Sequence, residues 1–425
     1  MTTTNTIIIG GGQAGLALSH SLTARGRDHL VLERGRIAER WHSERWDSLR
    51  LLTPNWMTRL PGWSYDGPDP DGFMAAPEVA TFFGRYATSF DAPIHEHTNV
   101  QQLDRDGDGF RVTTDQGQFR SGNVVIASGW CDRPAIPDGA RHLSPRIHQV
   151  VPASYRSPEQ LPDGGVLVVG ASATGVQLAD ELRASGREVT LAVGSHTRMP
   201  RRYRGMDIFW WLDMIGAFDR SIDDVRDVVA ARNEPSLQLV GRTDHASLDL
   251  ATLQASGVQL VGRLTGADGT RGSFDTNLRR VTKVAEVKLS LMLARIDDAV
   301  KRHGLASEVL DAEPVAAVAP VPEVASLDLR AAGITTVVWA TGHRRPYEWL
   351  RLPILDDRGE IAQYRGVTPM AGAYVLGQRF QHFRNSNFID GIGRDAQYVA
   401  DHICRTDHHR SHSVAVPAIS EPNRA

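Results

Sequence analysis

Gly10-Gly11-Gly12-Gln13-Ala14-Gly15, preceded by Thr6-Ile7-Ile8-Ile9 and followed by a segment of helical spacing, decides how this chain is read. An apolar run, a glycine turn and an amphipathic helix describe a strand that hands its backbone to a helix N-terminus. The glycines permit the tight turn and a close approach by a pyrophosphate, whose charge then faces the positive end of the helix. The same arrangement returns 160 positions later as Gly170-Ala171-Ser172-Ala173-Thr174-Gly175, after Val166-Leu167-Val168-Val169. One such fingerprint is weak evidence. Two, each between a strand and a helix, predict two Rossmann-like units in an α/β fold and two bound dinucleotides.

The residues beyond each turn indicate which dinucleotides. After Gly15 the helical pattern runs through Leu16, Leu18 and Leu22 to about Arg25, and Gly26 suits its C-cap. The next run, His29-Leu30-Val31-Leu32, ends in Glu33 and Arg34. An acid about 20 residues past the glycines accepts hydrogen bonds from a ribose 2′-hydroxyl and repels a 2′-phosphate. The first dinucleotide is therefore FAD or NAD. The same count from Gly170 reaches Val193, where no acid stands. Gly194-Ser195-His196-Thr197-Arg198 follows, then Arg201, Arg202 and Arg204. Hydroxyls and guanidinium forks suit a 2′-phosphate, so the second dinucleotide is expected to be NADPH, with Ser195 and Arg198 as its contacts. A solvated basic loop is the alternative. Ser172 replaces the middle glycine and leaves less room for the pyrophosphate.

Composition narrows the class. A chain of 425 residues with net charge −3 holds two or three domains and carries no global basic field for nucleic acid or anionic membrane. No apolar run approaches the roughly 18 residues that a span requires, and Met1–Asn5 is too polar and short for a signal peptide, so a cytoplasmic location is expected. The two cysteines, Cys131 and Cys404, lie far apart. They exclude a CxxC thiol relay and fit a reducing compartment. No spacing of metal ligands or of a nucleophile–base pair stands out.

Along the chain, 1–160 reads as the first nucleotide unit, with Pro54–Asp91 expected to be loop because Pro, Gly and aromatics dominate it. Residues 98–121 alternate like a hairpin turning at Asp106-Gly107-Asp108-Gly109, and Val124–Ala127 is a buried strand ending in Ser128-Gly129. The stretch Pro134–Pro162 reads as a linker into the second unit, 161–335. Residues 277–303 are expected to form one long amphipathic helix, with Val284, Val287, Leu291, Leu293, Ile296 and Val300 on roughly one side. The chain then returns to the first unit over 336–404 through Thr336–Gly342. A last strand, Tyr374–Gly377, leads to a closing helix from about Gly393 to Cys404. The tail 405–425 is polar, and His408, His409 and His412 within it are assigned no metal.

With both fingerprints, Ala127-Ser128-Gly129 and Ala340-Thr341-Gly342 in hand, the chain resembles the flavin-containing monooxygenase family over nearly its full length. The resemblance implies an NADPH domain inserted into an FAD domain, FAD lying first in the chain. It also implies that the glycines of Ser128-Gly129 and Thr341-Gly342 lie where the chain crosses between domains. Trp41 matches the family's Gly-Gly-x-Trp region, and Ser48-Leu49 followed by Pro54 matches the stretch over the flavin. Gly377-Gln378 and Asp390-Gly391-Ile392-Gly393 match the segment that closes over the ribityl chain. The family's signature F-x-G-x-x-x-H-x-x-x-(Y/F) keeps only Tyr155; its other positions fall on Pro145, Ile147 and Val151, with His148 three residues out of register. The family's flavin-side Asn falls on Leu52. The first departure loosens the signature, and the second bears on the oxygenation step more than on cofactor binding.

By resemblance, NADPH passes hydride to flavin N5 and a C4a-hydroperoxyflavin delivers one oxygen from O2 to a small substrate, with a nitrogen or sulfur centre favoured over Baeyer–Villiger or carbon chemistry. Such chemistry needs a dry apolar pocket. Trp63, Phe73, Phe209, Trp210, Trp211 and Phe383 are candidates to line it, or ordinary core. Two other classes stay open: a flavin reductase that inserts no oxygen, and a redox-sensing or binding protein with little turnover.

Overall fold

The computed structural model describes residues 2–413 and contains two main sheets, one mixed and one parallel, that share one cleft. In the first sheet, β1 (Thr2–Ile9) lies between β2 (His29–Leu32) and a long strand, β6 (Gly117–Ile126), parallel to both. Beyond β2 lies the short β3 (Ile94–His95). The first half of β6 carries an antiparallel meander, β4 (Val100–Asp106) and β5 (Gly109–Thr114); its second half pairs in parallel with a strand from the chain's far end, β14 (Ala373–Val375). Side chains alternate across this sheet, as a period of two demands. Ile8, Val31 and Val125 pack on one face with Leu16, Leu18 and Leu22 of helix α1 (Gln13–Thr23). Ile7, Ile9, Leu30 and Ile126 pack on the other. Each fully buried aliphatic side chain contributes about 1.5–3 kcal/mol, so both layers are needed.

The second sheet is wholly parallel. Its order is β8 (His148–Val150), β12 (Ile334–Trp339), β9 (Gly165–Val169), β10 (Val189–Val193) and β11 (Gln259–Gly262). Strands covered on both faces read as continuous apolar runs, and Val166–Val169 and Val189–Val193 do so. Helix α3 (Ala173–Ala184) follows its glycine turn as α1 follows the first. A third apolar layer, around helices α4 (Ile208–Met214) and α5 (Leu278–Arg302), closes the side of the cleft.

The chain crosses between the sheets twice, and the crossings touch. β7 (Arg133–Pro134) runs antiparallel to β13 (His343–Arg344). Beside them Ala135 N donates to Gly342 O at 2.9 Å and Thr341 Oγ1 donates to Ala135 O at 2.7 Å.

Four elements differ from the sequence expectation. The stretch Pro54–Asp91, read as loop, contains helix α2 (Ala76–Ser89). Its start is fixed by Pro77 in the first turn and by Glu78, whose carboxylate accepts from Ala75 N at 2.6 Å; Val79, Phe82, Phe83 and Tyr86 then bury one face. The expected linker Pro134–Pro162 includes β8, an edge strand of the second sheet. On α5 the inner face carries Leu278, Ala285, Leu289, Ile296 and Val300, whereas Val284, Val287 and Leu291 are exposed. The closing helix, α6 (Ile392–Ser413), runs past Cys404, and the side chains of His408, His409 and His412, with all residues after 413, lie outside the described residues.

Candidate functional site

A cavity of about 2080 Å3 opens at the C-terminal ends of the parallel strands in both sheets. Ligands collect there in open α/β folds because strand ends and helix N-termini converge. The two glycine turns face it with the same local geometry. Gly10 (φ +115°) and Gly170 (φ +109°) each lie so close to a neighbouring strand end that a Cβ would stand 2.6 Å from Ala127 O and 2.3 Å from Ala340 O. Gly15 and Gly175 do not line the cavity; a Cβ there would meet Gly10 O at 1.9 Å and Gly170 O at 1.8 Å, so they seat helix on strand. Gly12 is different: a Cβ would project into open space inside the cavity. Neither α1 nor α3 has a side-chain N-cap, which leaves both N-termini ready for an anion. Ser172 heads α3, lines the cavity and spends no hydrogen bond on capping.

Around the first turn, Gln13, Ala14, Glu33, Arg34, Trp41, Ser128 and Gly129 line the cavity as expected, joined by Gly377. Glu33 Oε2 accepts from Gly11 N at 2.6 Å and Oε1 from Gly35 N at 3.0 Å. The acid is thus fixed to the glycine turn, and each oxygen retains an acceptor site for a ribose hydroxyl. Thr174, Ser195, Thr341 and Gly342 line the second half. Gln378 and Gly391 do not line the cavity; Gln378 N donates to Gln381 Oε1 at 3.3 Å, and a Cβ on Gly391 would meet Asn385 O at 2.1 Å.

The loop after β10 lines the cavity through Ser195, Thr197 and Met199, but its arginines turn away. Arg198 is buried, its guanidinium 2.5 Å from Asp249 and 2.6 Å from Ala316 O. Arg201 is fully buried, 3.2 Å from Asp207 and over the rings of Phe73 and Phe209, while Arg204 lies 2.8 Å from Asp297. These arginines hold the α4–α5 layer to the sheet. Sequence reasoning passed over Arg263, which follows β11 and packs its side chain over Gly194 on the cavity wall. The signal was available: two parallel strands ending side by side put their next residues together, so Arg263 had to fall beside Gly194-Ser195.

Of the six aromatic candidates, Phe209 alone lines the cavity. Trp63 packs with Phe82 and Tyr86, Phe73 lies under Arg201, Trp211 is buried with its indole N–H on Tyr203 O, and Phe383 carries the Arg394 guanidinium. Trp210 stacks edgewise on Trp211. Leu51, Leu52, Leu212, Phe218, Met292 and Phe388 complete the apolar wall. Leu52 does sit on the cavity. His148 does not: it is an exposed residue of the edge strand β8, so it cannot stand in for the missing signature histidine. Tyr155 is fully buried in the second core.

Charge in the cavity is unbalanced. Eleven arginines and six carboxylates line it. Two of the guanidiniums, Arg45 over Trp41 and Arg379 over Trp130, have backbone oxygens but no carboxylate in hydrogen-bond reach, and burial pulls both down from the usual arginine range. Cys131 stands between them, its thiol pushed up to about 11 by burial against the opposing pull of four arginines, so it is no nucleophile. His343 is held down at about 4 by burial and the nearby Arg45 and Arg40. A buried cation without an acid is stable only when an anion arrives with the ligand.

This is the architecture of a flavoprotein oxidoreductase that handles two dinucleotides. A family model described as pyridine nucleotide-disulphide oxidoreductase matches residues 7–206. The chain is 30% identical over 401 residues to the uncharacterized oxidoreductase CzcO-like of Geobacillus kaustophilus, covering 93% of this chain and 97% of that protein. It belongs to that family of CzcO-like oxidoreductases. A probable indole-3-pyruvate monooxygenase of Arabidopsis thaliana, YUCCA1, is 33% identical over 209 residues, about half of each chain. In three dimensions the chain superimposes on a flavin-containing monooxygenase from Stenotrophomonas maltophilia with a TM-score of 0.65 at 17% identity, over 96% of this chain and all of that one. No helix among the described residues is long and apolar enough to cross a membrane.

Proposed function

We propose that this chain is an NADPH-dependent FAD monooxygenase that inserts one atom of O2 into a small substrate, at a nitrogen or sulfur centre in preference to a carbonyl. The observation that carries the reading is the single cavity onto which both uncapped helix N-termini and the apolar wall at Leu52, Phe209 and Phe388 open. The reading divides the chain into an FAD unit (1–160 and 336–404) and an inserted NADPH unit (161–335).

In this reading α1 and Gly12 seat the FAD pyrophosphate, and Glu33 holds the adenosine ribose. Gly170, Ser172 and Thr174 seat the NADPH pyrophosphate. The 2′-phosphate contact passes from Arg198 to Arg263, with Ser195 beside it. Arg45 and Arg379 supply the remaining positive charge. When bound, the flavin supplies hydride acceptance and oxygen activation. The protein orients the cofactors across the cleft and excludes water with its leucine and phenylalanine wall.

Oxygen-18 gas with purified enzyme and NADPH tests the reading across a panel of amines and sulfides. Label in the product supports it. Full NADPH consumption with peroxide and no labelled product favours the reductase reading, to which the apolar Leu52 lends weight.

A further inference from the structure

Helix α5 carries more apolar surface than the core uses. Its inner side buries Leu278, Ala285, Leu289, Ile296 and Val300. A second stripe, at positions i, i+3 and i+7, leaves Val284, Val287 and Leu291 at 49, 48 and 64% exposure. Among the described residues these are three of the eight large hydrophobic side chains left in water, and they share one helix face. Cations surround the stripe. At 100° per residue Arg280 precedes it in line, Arg302 follows it, and Lys283 and Lys288 flank it on either side. Lys283 and Lys288 are loosely held, at 3.5 Å from Glu286 and 3.8 Å from Glu234. Asp298 is the acid on the stripe itself, and Glu323 shares a shallow groove with Val284 and Val287, against Arg279, Arg280, Lys283 and Lys288 in the same groove.

We propose that this face of α5 is a peripheral docking surface for an anionic phospholipid membrane. The aliphatic stripe is oriented to enter the headgroup boundary, while lysine and arginine stems lie along it with their charges at the phosphates. Charge decides between occupants. A second copy packed face to face would bring like charges together, whereas an anionic lipid surface answers them. The position is also suggestive for traffic: Met292 and Arg295 of the same helix line the large cavity, so docking would bring its wall to the bilayer. The overall charge of −3 does not oppose this, because screening confines the interaction to about a Debye length.

The test is co-sedimentation of the full-length holoenzyme with vesicles of phosphatidylcholine alone or mixed with phosphatidylglycerol. Binding to the anionic vesicles is expected, weakened by salt. Two paired variants, Val287→Asp with Leu291→Asp and Arg280→Glu with Lys283→Glu, each should lower the partition roughly ten-fold or more. All four positions are exposed, and flavin absorbance with thermal melting confirms that each variant remains folded. Absence of vesicle binding, or binding indifferent to both variants, overturns the proposal. So does a mass in light scattering that doubles with concentration and reverts in the Val287→Asp/Leu291→Asp variant, which would assign the face to a second copy.

Discussion

Arg198 Nη2 lies 2.5 Å from Asp249 Oδ2, with both side chains almost wholly withdrawn from water. The pair ties the loop after β10 to the N-terminus of the short helix Leu250–Ala255, where Asp249 also accepts from Thr252 N. It makes Arg198 a structural cation. Removing one partner of a buried pair leaves the other charge uncompensated, at about 3–5 kcal/mol. Arg198→Ala should therefore lower the melting temperature markedly and change the NADPH and NADH KM values together. Arg263→Ala should leave the melting temperature alone and raise the NADPH KM roughly ten-fold or more over that for NADH, as expected for a charged hydrogen bond. Steady-state kinetics with both cofactors separates the two.

Gly12 and Gly15 stand three residues apart and predict opposite failures. Gly12→Val places its side chain in the open space where a pyrophosphate would lie, so the protein should fold and purify colourless. Gly15→Ala drives a methyl group to 1.9 Å from Gly10 O and should yield little folded protein. Flavin absorbance against circular dichroism distinguishes the outcomes; a yellow Gly12→Val protein would remove the FAD assignment.

Arg45 and Arg379 should be liabilities without ligand and assets with it. Replacing Arg379 by Met removes a half-buried charge that has no carboxylate in hydrogen-bond reach among the described residues, so the apo-protein should be no less stable. Cofactor affinity, measured by fluorescence titration, should fall roughly ten-fold or more, because charge-assisted hydrogen bonds of about 1.5–3 kcal/mol are lost. An unchanged affinity would show that neither dinucleotide uses this charge.

Asp395 and His382 set a pH window. Burial pushes the Asp395 carboxyl up to about 7 and holds the His382 imidazole down at about 4. The two nearest atoms are 3.9 Å apart. Asp395 binds its proton more tightly when folded, so its stabilisation is complete below the unfolded value near 4 and is lost as pH rises through about 7. His382 acts in the other direction: its stabilisation holds above 6.5 and is lost as pH falls through about 4. Between about 4 and 6.5 the two contributions change in opposite directions and nearly cancel, so the melting temperature should stay level there and drop only as pH rises toward about 7. Asp395→Asn should leave the His382 contribution uncompensated, so that the melting temperature climbs as pH rises from about 4 to 6.5; a profile unaltered by the substitution would mean that another group titrates there.

Both Rossmann-like units were legible because strand, glycine turn and helix are local patterns enforced by sterics at Gly10, Gly15, Gly170 and Gly175. The dry face of α2 was hidden because Pro and Gly in 54–73 set the tone of the whole segment, while the capping by Glu78 is a three-residue signal. The grouping of six residues on one side of α5 failed for a different reason. At 100° per residue Val284, Val287 and Leu291 lie opposite Ile296 and Val300, so two apolar stripes wrap the helix and only the second meets the core. Arg198 and Arg263 show the same limit in electrostatics. Both lie near a strand end, and only the placement of Asp249, 51 residues away in sequence, decides which is free.

The paired crossings have a mechanical meaning. Two separate tethers would let the halves of the molecule swing, slide and twist. A pair of strands bonded as β7 and β13 are, and pinned again at Ala135 and Gly342, resists shear and in-plane bending while tolerating rotation about its own axis. The two glycine turns, which line one cavity, are thereby joined through a single bonded seam beside it rather than through two independent tethers.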